Sequence, residues 1–177
     1  MARVIVLSVA GGIVLFVWGF MSWAVLPWHH MAANKFTDEA AVAQVLKENA
    51  PQRGVYFLPF SEQDHGPDKV GAFANVLPDG TAMNMGRQMT VALVTQIASV
   101  FLVLSLMRIG GTPGCRARVG FFALTGLIIG FVSHAPYWNW FGFSTPYVAV
   151  IVMDYLIGWT LAGLAVACFM PRATPAA

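Results

Sequence analysis

The chain has 177 residues, 58% of them hydrophobic and only 10% charged, where a soluble domain has roughly a quarter charged. So many apolar side chains exceed what one compact unit can hide, and they call for lipid. The net charge of +2 is dispersed along the chain, which excludes a nucleic-acid footprint and hence nucleic acid as a partner.

A membrane-crossing helix needs about 20 mainly apolar residues. The first candidate, within residues 1–27, runs from Val4 to Pro27 behind Arg3. It imitates a secretory signal, but its apolar run is longer than a signal core and no small-x-small cleavage site follows, so it reads as an uncleaved anchor. Ser8, Gly12, Leu15, Gly19 and Ser22 recur at steps of four and three, a single helix face of small residues that continues to Leu26 and His29.

Residues 28–87 read as an extracytoplasmic loop domain. Thr37 as an N-cap, with Asp38 and Glu39 in the first turn, predicts a short helix. Its apolar stripe is Ala41, Val42, Val45 and Leu46, and Asn49 and Pro51 end it. Gly54–Phe60 and Val70–Leu77 are β-prone and can pair as a hairpin, with Pro78, Asp79 and Gly80 as the exit turn. His65 reads as a solvated turn residue. So small a unit buries little by itself and is expected to pack on the bundle's outer end or on a partner.

The second span, residues 88–107, lines up Ala92, Gln96, Ser99 and Val103. With fewer small residues it is expected to sit further out. Residues 108–118 form a cytoplasmic loop whose Gly110–Gly114 stretch lacks the Lys-Ser/Thr ending of a phosphate-binding loop. The third span, residues 119–135, offers Ala123, Gly126, Gly130 and His134, and Pro136 is expected to end it. Residues 136–146 form an aromatic outer loop containing Tyr137, Trp138, Trp140, Phe141 and Phe143. The fourth span, residues 147–170, presents Asp154, Gly158, Ala162 and Ala165, and residues 171–177 form the tail.

The arginines set the direction, because basic loops stay on the cytoplasmic side. Arg3, the Arg108–Arg116–Arg118 loop and Arg172 in the tail fall on one side with no acid among them. The loop of residues 28–87 is slightly acidic, and the aromatic loop has no Lys or Arg; its aromatics form an outer belt with Trp23 and Trp28. The fold class that follows is an all-α membrane protein, a four-transmembrane-helix bundle with a small extracytoplasmic α+β loop domain and both termini in the cytoplasm. Cys115 and Cys168 then both lie on the reducing side, where a structural disulfide is not expected. Neither belongs to a CxxC pair.

Asp154 is the one formal charge inside a span. An acid there costs about 2.5 to 3.5 kcal/mol on insertion scales and needs a protein or water partner. Gln96 lies at a similar depth and is the expected partner, with Ser22 and Trp18 flanking the same level. His29 and His134 end the inner faces of the first and third spans. The candidate polar cluster is therefore Asp154, Gln96, Ser22, His29 and His134, either a structural clasp or a ligand site. His29, His30 and His134 are also the residues from which a metal or haem site could be built, although no HExxH or repeated His spacing supports one. No catalytic set is legible, the methionines form no Met-x-x-Met array, and no cofactor is expected.

Trp18–Gly19, Ser22–Trp23 and Leu26–Pro27–Trp28–His29, followed by Gly54–Val55–Tyr56 and Leu58–Pro59, resemble a group of small bacterial four-span membrane proteins of no known activity. The likeness covers the first span and the start of the loop and implies no site residues. Four-helix quinone-linked thiol oxidases share the span count, but the outer cysteine pairs of that family are missing here. Three functions fit: a non-enzymatic subunit or accessory protein of a bacterial inner-membrane assembly, contacting lipid and either other membrane proteins or itself; a small transporter or ligand-binding protein with its polar site at Asp154; and a haem- or metal-binding membrane protein.

Overall fold

A computed structural model describes residues 2–61, 63, 65–80, 84–110 and 114–170. Arg172 and residues 111–113 of the glycine-rich turn, named above, lie outside the described residues, as does Asp64 next to His65. The chain divides into two compact units, residues 34–83 and the remainder.

The larger unit holds four helices long and apolar enough to cross a membrane. The first is α1 (Ala2–Phe20), extended by a wide π turn over Met21–Val25, then the short α2 (Trp28–Ala32). The others are α4 (Met85–Gly110), α5 (Cys115–Phe141) and α6 (Thr145–Val166), the last closing in a 3-10 turn over Ala167–Phe169. α4 packs on α1, α1 also packs on α6, and α6 packs on α5, while α4 and α5 touch only marginally. The second span therefore stands at one edge of the set, against α1.

Close helix approach needs glycine where a Cβ would collide. A Cβ on Gly12 would lie 2.7 Å from the Ile97 Cα, one on Gly126 2.5 Å from the Tyr155 carbonyl oxygen, and one on Gly130 2.8 Å from the Val152 Cα. The core gathers where the start of α1, the end of α4, the start of α5 and the end of α6 meet. Leu7, Val100, Leu104, Phe122, Trp159 and Val166 are among its residues.

Several expectations are corrected. α5 does not stop at Pro136 but runs on to Phe141, so Tyr137, Trp138 and Trp140 are helical. A single proline removes one backbone donor, which an otherwise regular helix absorbs. The stop comes at Gly142, in the left-handed region at φ 67°, where the Gly142 and Phe143 N–H groups both donate to the Tyr137 carbonyl. Ser144 then caps α6, accepting from Tyr147 N at 3.4 Å.

Cys115 and Cys168 are joined as a disulfide, with Cα atoms 4.6 Å apart. Reasoning from compartment alone missed that antiparallel α5 and α6 bring their ends to one place. Nearby, the buried Arg118 donates from Nη1 to the carbonyls of Ala167 and Met170, satisfying the end of α6.

In the smaller unit α3 (Glu39–Asn49) is capped by Asp38, which accepts from Ala41 N at 2.9 Å, one residue later than the predicted Thr37. β1 (Gly54–Leu58) and β2 (Ala72–Val76) pair antiparallel with Gly54 opposite Val76 and Leu58 opposite Ala72. Phe57 faces Phe73 across the pair with ring centroids 5.1 Å apart. Gly80, at φ 103°, closes the exit turn by donating to the Leu77 carbonyl. The compact unit begins at residue 34, and α2 belongs to the helical unit.

Candidate functional site

The polar cluster is built by the way α1 ends. Pro27 has no N–H and biases its predecessor to extended backbone, and Leu26 adopts φ −81°, ψ 138°. Just before it the helix widens, with Leu26 N bonded to the Met21 carbonyl at 2.9 Å. Widened turns of this kind are frequent at functional sites. α2 then folds the chain back, so His29 returns to Ser22, seven residues earlier.

His29 Nε2 lies 3.0 Å from Ser22 Oγ and 3.5 Å from Asp154 Oδ2. Trp18 Nε1 donates to Asp154 Oδ1 at 2.6 Å and also approaches the Asp154 carbonyl at 3.1 Å. Trp28 Nε1 donates to Ser22 Oγ at 3.0 Å. Gly158, one turn beyond Asp154, makes room for this arrangement: a Cβ there would come within 2.6 Å of the Trp18 ring.

The aromatic rings wall the cluster. Trp23 stacks on His29 with centroids 3.8 Å apart and planes 13° from parallel, and Trp28 meets His29 edge-on at 5.6 Å. Ser22 is fully buried and His29 is 4% exposed. Burial holds the His29 imidazole below its ordinary pKa of 6.5, the nearby Asp154 carboxylate opposes this, and His30 adds a small push in the same direction as burial.

Of the predicted cluster, Asp154, Ser22 and His29 come together. Gln96 does not hydrogen-bond to Asp154; its place is taken by Trp18. His134 joins a different group: its Nδ1 lies 2.7 Å from Ser133 Oγ, and its ring neighbours are Tyr137, Tyr147 and Tyr155 at 6.2 to 6.4 Å. His30 is exposed, as is His65. Among the described residues no three His, Cys, Asp or Glu side chains converge as metal ligands would.

Sequence reasoning placed Trp18 at the right level but gave it no role, and it left Trp28 in the outer belt. Both act through the indole N–H, the one polar atom of a side chain otherwise counted as apolar. The usable signal was the need of a membrane acid for donors within reach.

Chemically, the arrangement surrounds one carboxylate with an indole donor and an imidazole. It offers no nucleophile set against a separately oriented base, because serine and carboxylate meet the same imidazole nitrogen. No family model, curated protein or solved structure matches the chain.

Proposed function

We propose that the chain is a non-enzymatic integral subunit or accessory protein of a bacterial inner-membrane assembly. In this reading the four helices form a bundle with both termini cytoplasmic, and residues 34–83 lie outside, where they meet other membrane proteins or a second copy. The arrangement of arginines supports the orientation, against which the Cys115–Cys168 disulfide weighs, since it would then lie on the reducing side; the likeness of the first span to small bacterial membrane proteins supports the compartment. The cluster at Asp154 serves as a clasp between α1 and α6, since its polar atoms are largely spent on one another. No cofactor is needed for this role.

The observation that carries the reading is the apolar surface of residues 34–83. Phe36 is 64% exposed, Phe60 89% and Val70 77%, while Ala50 and Val76 are the buried residues among those described there. Contiguous apolar surface outside the lipid zone marks an interaction site. A photoreactive residue placed at Phe60, and separately at Val70, tests this in native membranes. A discrete protein adduct, with another protein or with a second copy, is expected from both positions. A chain that stays an uncrosslinked monomer at both overturns the reading.

A further inference from the structure

The imidazole of His29 has two nitrogens, and only one is accounted for. Nε2 meets Ser22 Oγ and Asp154 Oδ2. Nδ1 is buried and has no hydrogen-bond partner. A neutral imidazole carries one N–H and one acceptor lone pair. With the N–H on Nε2, where it can reach the carboxylate, Nδ1 keeps a free lone pair in a site that is otherwise satisfied. Buried polar atoms left so are uncommon and ask for a reason.

We propose that the Asp154–His29 pair is a proton-binding site, with His29 Nδ1 as the atom that takes up and releases the proton. A proton is the ligand that a single buried lone pair, with the Trp23 and Trp28 rings against the imidazole, is suited to take. The incoming proton forms an N–H bond with the Nδ1 lone pair. The existing Nε2–H stays directed at Asp154, whose carboxylate balances the imidazolium charge. No other bond changes.

The route lies past Trp23. That ring covers one face of His29, is itself 51% exposed, and is carried on the widened turn rather than on regular helix. The other groups facing His29 are Ser22 and Trp28. The charged or titratable groups bearing on it are Asp154 from α6 and His30 from α2 itself. Proton uptake places a charge between α1 and α6 and gives Nδ1 a donor with no acceptor among its neighbours, so acid weakens the clasp. The sign is fixed by burial: the fold prefers neutral His29, the unfolded chain binds the proton first, and stability is full above pH 6.5 and falls as the pH drops below it.

Tryptophan emission in lipid nanodiscs reads the event, because Trp23 lies flat against the imidazole and a cation formed there perturbs it. The wild type is expected to show a step with its midpoint below pH 6.5. His29→Gln abolishes the step. Asp154→Asn moves it about one unit or more toward acid by removing the opposite charge, and His30→Gln keeps it. A flat wild-type profile, or a step that survives in His29→Gln, overturns the proposal. Should His29→Gln fail to fold, the nitrogen resonances of His29 in the labelled wild type decide: titration of Nδ1 in that range supports the site, and an unchanging signal refutes it.

Discussion

Replacing Trp18 by phenylalanine keeps a ring over Gly158 and removes the indole N–H that reaches Asp154. A carboxylate in a membrane helix that loses one of its few donors costs about 1–3 kcal/mol, so Trp18→Phe should lower the thermal unfolding midpoint in detergent. An unchanged midpoint would mean that the clasp contributes nothing. The same residue shows what a sequence conveys at this scale. Asp154 stood out because a charge in a span has no innocent reading, and Ser22 and His29 followed from one helix face. Gln96 was the natural partner by depth, but depth along a helix leaves the direction around its axis open, and α4 turns other side chains toward α1. Pairing Trp18 with Asp154 required knowing that α1 and α6 adjoin.

The helices were legible as spans because length and apolar content are all that a bilayer demands. Their contact faces were legible in part. Gly12, Gly126, Gly130 and Gly158 do sit where neighbours press. Gly19 continues the α1 stripe yet has nothing within 4 Å of its Cβ position, and Ala165 is exposed. A stripe follows one helix, whereas two crossing helices stay close over only part of it. Gly126→Ala should therefore cost about 1–3 kcal/mol through overpacking. Gly19→Ala should be neutral or stabilising, up to about 1 kcal/mol from helix propensity. Equal losses in a denaturant series for the two variants would refute this assignment of faces. On α4 the buried residues are Val100, Val103, Leu104 and Met107, of which Val103 alone belongs to the predicted line of Ala92, Gln96, Ser99 and Val103. Valine and leucine suit lipid and protein alike, so no contrast in the sequence marked that side.

At the scale of the molecule, the hairpin of β1 and β2 was readable from residue pattern, and so was the helical span order. The disulfide was not, since it depends on which helix ends meet. Nor was the side-by-side order of helices, in which α4 belongs with α1 and α5 with α6. That order has a further consequence. With α4 and α5 scarcely touching, the helical part is two hairpins joined chiefly along the α1–α6 seam, and the covalent staple lies wholly within the second. The seam has the character of a subunit interface, and the chain is in effect a heterodimer written in one reading frame. Cut between Gly110 and Gly114 and co-expressed, the two fragments should find each other in the membrane and co-purify. Asp154→Ala in the second fragment should loosen that association; fragments that never co-purify would show the seam too weak to act alone.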